Sequence, residues 1–180
     1  MFIFLDFDER LTSNHLYEQV TIIGLKGAPM AGISITSLTA QHYDAWYKLY
    51  QGYADHYRVE LTESSALATW SWLMDPSHPL TGLVAVNGDV PVGLAHFRAM
   101  PSPLRGREIG FLDDLFVDPA ERGSGIASRL LEALSAEAAS QGWPVIRWIT
   151  RDDNYRARSV YDRHAVKTDW NMYEMTPDQA

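Results

Sequence analysis

The stretch LFVDPAERGSGIASRLLEAL, residues 115–134, decides how the chain is read. An apolar, strand-like run closes on Asp118-Pro119, a segment holding Gly123 and Gly125 follows, and an amphipathic helix begins. Ile126, Leu130, Leu134 and Ala138 recur every four residues, so they share one helix face, and the pattern ends near Gly142. A helix N-terminus presents unpaired N–H groups and a partial positive charge, and glycine lets a ligand approach that backbone closely. Arg122, Gly123, Ser124, Gly125, Ile126 and Ala127 therefore read as an anion cradle.

Working outward, ISITSL alternates and is β-branched, which predicts a strand. Thr39 is placed to cap a helix through AQHYDAWYKLYQGYADHY, whose Tyr43, Trp46, Tyr47 and Tyr50 form an aromatic stripe of core type. A second helix through TESSALATWSWLM stops at Asp75-Pro76. TGLVAVNGDVPVGLAHFRAM reads as a hairpin turning at Asn87-Gly88. IGFLDDLFV reads as a long strand, PVIRWIT as a short buried one, YRARSVYDRH as a helix capped from Asp152-Asp153-Asn154, and VKTDWNMYEM as a closing strand. The order is strand, two helices, three strands, helix, strand, helix, strand. It implies a mixed α/β sheet with helices on its faces. Residues 1–30 read as an extension ahead of a domain over 31–180.

The chain has 180 residues, enough for one domain with a substantial core, and its 46% hydrophobic and 21% charged content is that of a globular protein. A net charge of −8 argues against nucleic-acid or anionic-membrane partners and is compatible with a cationic substrate. The absence of cysteine excludes disulfides, a thiolate nucleophile and Cys-ligated metal, and the six histidines form no metal-binding spacing, so no metal is expected. No apolar run approaches the ~20 residues of a membrane span. MFIFLDFDER carries Asp6 and Asp8 and lacks a basic start, which makes it a poor signal peptide and points to the cytoplasm.

The nature of the anion narrows by comparison of motifs. A P-loop needs Lys followed by Ser or Thr, which is absent, and a dinucleotide GxGxxG pattern fails at Ser128. Arg-x-x-Gly-x-Ala after a strand ending Val-Asp-Pro instead resembles the acetyl-CoA signature of the GCN5-related N-acetyltransferases, and Asn154, Ala157 and Tyr161 resemble that family's second signature, Asn-x-x-Ala-x-x-x-Tyr. The acidic pair Asp113-Asp114 ahead of LFV is most similar to the diamine acetyltransferase branch, with Asp113 where that branch carries Glu.

The resemblance, which spans about residues 31–175, implies the acyl-CoA N-acyltransferase fold: a mixed, mostly antiparallel central sheet with helices on both faces, splayed at the cofactor site. It implies acetyl-CoA as cosubstrate, a small-molecule primary amine as acceptor and a homodimer. The backbone of Leu115, Phe116 and Val117 would pair with the pantetheine arm, through a bulge that frees an N–H for the thioester carbonyl. Residues 122–127 would hold the pyrophosphate, with Arg122 adding charge and Ser128 one step further into the first turn; Asn154 would meet the pantetheine or simply cap its helix, beside Ala157. Tyr161 would protonate the departing thiolate. Asp113 and Asp114, adjacent on a strand, should face opposite sides, so that one reaches the cleft as base or ammonium ligand, directly or through water. The arginines 151, 156, 158 and 163 read as a solvated helix face with an alternative role at the 3′-phosphate. Without cysteine the transfer must be direct, in a ternary complex. A CoA-binding domain without turnover, a nucleotide-dependent oxidoreductase and acetylation of a protein lysine or N-terminus are the competing readings.

Overall fold

The computed structural model describes residues 32–177, so the reading of residues 1–30 lies outside it. Five strands form one sheet in the order β1 (Ile33–Ser37), β2 (Leu80–Asn87), β3 (Val90–Ser102), β4 (Arg107–Val117) and β5 (Ile146–Arg147). The first three pairings are antiparallel and β4–β5 is parallel. Two helices, α1 (Tyr43–Tyr57) and α2 (Glu63–Met74), cover one face, and α3 (Ile126–Ser140) and α4 (Tyr155–His164) cover the other. Among the described residues no helix is long and apolar enough to cross a membrane.

Each element forms where local chemistry directs it. The Thr62 side chain accepts the Ser65 N–H and starts α2, and Asn154 accepts the Ala157 N–H and starts α4. The hairpin turns at Gly88-Asp89, one residue later than the Asn-Gly pair suggested, with Gly88 at φ +61. Alternation sorts the sheet's side chains into two cores. Ala95, Phe97 and Leu112 join Ile126, Leu130, Leu131 and Leu134 of α3, while Leu94 and Phe116 join Trp46, Leu49 and Ala66. Burying a leucine such as Leu130 fully contributes about 1.5–3 kcal/mol.

The expected strands hold with two exceptions at the C-terminal end. PVIRWIT pairs through Ile146 and Arg147 only, and VKTDWNMYEM forms no strand. Its Trp170, Met172, Tyr173 and Met175 are exposed. Strand propensity is realised through a paired neighbour, and β5 ends too soon to offer this segment one. After α4 the chain leaves through Ala165 in extended backbone, at φ −151.

Gly110 explains how closely β5 is seated. Its N–H donates to the Val145 carbonyl, and a Cβ there would lie 2.7 Å from Trp143 Cε3 and 3.2 Å from Ile146 Cγ1. Gly110→Ala therefore overpacks the β4–β5 junction, and urea denaturation should show a loss of about 1–3 kcal/mol.

Candidate active site

The site begins with an extra residue in β4. Opposite β3, His96 pairs with Asp114 and Phe97 pairs with Leu112, so Asp113 is inserted between them. The insertion resets the alternation of the strand. Leu112 and Leu115 both pack on the α3 side, whereas Asp114 bonds His96 and Asp113 bonds Arg98. His96 and Arg98 are two residues apart on β3 and share one face. The two aspartates consequently share the α1 face, in place of the opposite faces expected for neighbours on a regular strand. The bulge lies in β4, the strand in which the family resemblance implies one.

The two carboxylates are held differently. Arg98 Nε donates to both oxygens of Asp113, at 3.2 and 3.1 Å. Burial pushes the Asp113 carboxyl above its usual range, and the Arg98 charge and hydrogen bonds only partly offset this. Asp114 Oδ2 instead lies 2.8 Å from Nδ1 of His96, a buried residue whose Nε2 accepts a 2.8 Å hydrogen bond from the Trp46 indole N–H. Sequence reading missed His96. Its position on the inward face of a buried strand, two residues from Arg98, was the available sign.

Beside the acids, β4 and β5 separate. Their pairing ends at Phe111 with Arg147, leaving the β5-facing backbone edge of residues 112–117 without a strand partner. The opening is lined by Tyr53, Tyr57, Leu112, Asp113, Leu115, Trp148, Ile149 and Tyr161. Tyr161 stacks edge-on against Trp148, with ring centroids 5.3 Å apart. Burial, and secondarily Tyr57, pushes the Tyr161 phenol up to about 12. The Tyr53 phenol is also raised, first by burial, then by the charge of Asp114 and a hydrogen bond to it. Tyr53 thus lines the opening and lies within reach of the charge of Asp114.

The glycine segment leads off the far end of β4. Gly123 and Gly125 sit at φ +89 and +80, and a Cβ at either would meet nothing within 4 Å. Glycine is therefore required there by backbone conformation and leaves room above the backbone. Unlike α2 and α4, α3 has no side-chain cap, and Arg129 N–H is bonded to the Gly125 carbonyl, so the amides of Ile126, Ala127 and Ser128 start the helix uncapped by any side chain. The residues present fit a bound phosphate diester, since an uncapped helix start with an accessible backbone is what such an anion needs. Two side chains of the segment are engaged elsewhere. Ser124 Oγ donates to the Glu121 carbonyl, and Arg122 Nε donates to the Val117 carbonyl with its guanidinium over the Phe116 ring.

The remaining sequence-predicted residues fall into place with less consequence. Phe116 is buried among the α1–α2 aromatics, and Leu115 and Val117 pack toward α3, with Leu115 also lining the opening. Asn154 spends both side-chain ends locally, accepting from Ala157 N–H and donating to Thr150 Oγ1, which is the capping role. Arg158 and Arg163 donate to the backbone carbonyls of Asp152 and Ser159. No group of three or more His, Asp or Glu suited to a metal occurs among the described residues.

A splayed mixed sheet with an uncapped helix start beyond the splay is the architecture of acyl-CoA N-acyltransferases. A profile of the acetyltransferase (GNAT) family matches residues 44–165, and the chain belongs to that family. It is an acetyl-CoA-dependent N-acetyltransferase. It is 28% identical to the D-amino-acid N-acetyltransferase HPA3 of Saccharomyces cerevisiae over 145 residues, which is 79% of this chain and 89% of that one. It is 32% identical to the thialysine N-epsilon-acetyltransferase of Bos taurus over 74 residues, 41% of this chain and 43% of the other. The aminoglycoside N-acetyltransferase AAC(6')-Iy in complex with CoA shares the fold, with a TM-score of 0.70 at 18% identity, covering 82% of this chain and 97% of that one.

The raised Tyr161 phenol has a consequence for stability. An unfolded tyrosine ionises near 10.0 and the folded one at about 12, so the fold favours the neutral phenol. That stabilisation is complete below pH ~10 and is lost as pH rises toward ~12. Tyr161→Phe keeps the buried ring and has no proton to lose. Denaturation at a series of pH values should show its stability falling less steeply than the wild type's across this window, with Tyr50 and Tyr53 supplying the residual slope.

Proposed function

We propose that the protein moves the acetyl group of acetyl-CoA directly to the primary amine of a small cationic molecule such as a polyamine or an amino acid. The observation that carries this reading is the meeting of Asp113, Tyr53 and Tyr161 in the lining of the opening between β4 and β5, with Asp114 next along the strand and its charge acting on Tyr53. Two carboxylates face one guanidinium there, which leaves the site negative, and Tyr53, Tyr57, Tyr161 and Trp148 add π-faces that attract a cation. Two relatives carry names that specify amino-acid acceptors, a D-amino acid and thialysine.

In this reading each group has one task. The uncapped amides of residues 123–128 hold the pyrophosphate, and the open edge of Leu115–Val117 pairs with the pantetheine arm. An alkylamine is protonated at neutral pH, with a pKa near ~10. Asp114 takes that proton, directly or through Tyr53 and water, because Asp113 is already engaged by Arg98. The freed lone pair attacks the thioester carbonyl, whose developing negative charge is met by an N–H of the β4 edge. Tyr161 then donates its phenolic proton to the sulfur as the C–S bond breaks, and the second proton lost by the attacking nitrogen restores the phenol. The burial that raises the phenol disfavours a bare thiolate in the same opening as well, so the departing sulfur also favours its protonated form.

A panel of polyamines, D- and L-amino acids, aminoglycosides and lysine peptides, each scored for CoA release, tests the reading. Turnover of a small amine with Tyr161→Phe lowering kcat by about 100-fold is expected. Turnover restricted to peptides would assign a protein acceptor. Thermal stabilisation by acetyl-CoA with no release from any amine would make the chain a CoA binder. Unchanged kcat in Tyr161→Phe would remove the phenol from the mechanism.

A further inference from the structure

We infer that Trp46 and His96 act as a tautomer lock that positions Asp114 for the amine, making both of them positioning residues; this rests on the proton-acceptor role proposed for Asp114. An indole N–H can only donate. Trp46 Nε1 lies 2.8 Å from His96 Nε2, so that nitrogen must accept and carries no proton. The imidazole proton is then on Nδ1, which lies 2.8 Å from Asp114 Oδ2 and donates to it. The direction of both hydrogen bonds follows from the donor-only chemistry of tryptophan. Trp46 is 0% exposed and His96 is 1% exposed, so water is not available to replace either partner.

The surroundings support orientation over proton relay. Tyr50 from α1 sits edge-on to the imidazole at 5.2 Å, the charge of Asp114 acts on the Tyr53 phenol, and Arg98 bonds Asp113 on the same face. A second proton on His96 would set an N–H against the Trp46 N–H at 2.8 Å. His96 therefore passes no proton while this contact lasts. Its work is to fix Oδ2 of Asp114, so that the other carboxylate oxygen is presented to the ammonium, where an N–H bond breaks and an O–H bond forms. The Asp114 side chain is 18% exposed, whereas the imidazole that holds it is 1% exposed.

The amides of Asn and Gln separate the two ends of the imidazole. His96→Asn places an N–H where Nδ1–H stands and keeps the donor to Asp114. His96→Gln places an amide oxygen where Nε2 stands, keeping the Trp46 partner and losing that donor. With an amine already shown to be turned over, His96→Asn is expected to lose about threefold in kcat and His96→Gln roughly ten- to a hundredfold, the scale of one hydrogen bond to a charged group. Stabilisation by acetyl-CoA should be the same in both. Equal losses in the two variants, or a larger loss in His96→Asn, would overturn the assignment.

A measurement on the resting wild-type protein covers the case in which the variants fail to fold. Nitrogen-15 NMR should find His96 protonated at Nδ1, with scalar coupling between Nε2 and the Trp46 indole nitrogen. Trp46→Phe should let the proton spread over both nitrogens. A wild-type proton on Nε2 would overturn the lock. This spectrum needs no turnover, so a failure of the acetyltransfer reading with every amine is distinguishable from a failure of the lock.

Discussion

The inserted residue in β4 opposite His96 is the constraint on which the site depends. A regular strand would have sent Asp113 and Asp114 to opposite faces, burying one carboxylate under α3 among Leu112, Leu130 and Leu134. An unpaired carboxylate there would be expensive to bury. The bulge keeps Leu112 and Leu115 on the apolar side and turns both acids toward α1, where Arg98 and His96 supply donors. One insertion thus satisfies the core and concentrates negative charge at the opening.

The second constraint is the brevity of the β4–β5 pairing. Close seating at Gly110 anchors the two strands, and after Phe111 they part. Parting leaves backbone N–H and C=O groups of β4 open to an extended ligand, and it admits Tyr161 of α4 and Trp148 beside them. The same strand then delivers the chain to Gly123 and Gly125 and to the uncapped start of α3. In the proposed reading the path from acetyl group to pyrophosphate follows one continuous stretch, from Asp113 to Ser128.

Much of this was legible in the sequence because the signals are local. Helix faces in α3, the hairpin at Gly88 and the caps at Thr62 and Asn154 depend on residues a few positions apart. The bulge left a trace as well: leucines at 112 and 115, three apart, break a period of two. What escaped depends on distant partners. Trp46 and His96 are 50 positions apart, and neither residue announces the other. The closing strand expected at VKTDWNMYEM has the right composition, but a strand needs an edge to pair with, and the length of β5 is settled by the packing of Trp143 and Ile146 against Gly110.

The contrast between the two aspartates gives the site its division of labour. Asp113 faces a guanidinium in a forked contact, so its charge is largely matched before any substrate arrives. Asp114 receives its hydrogen bond from an imidazole that the Trp46 contact keeps neutral, so it is oriented without being neutralised. In the proposed reaction an incoming ammonium passes Asp113, which lines the opening, and is drawn to Asp114 because Asp113 is already paired. Exchanging the donors would reverse that preference, which is why a neutral histidine, fixed in one tautomer by a buried indole, suits this position better than a second arginine.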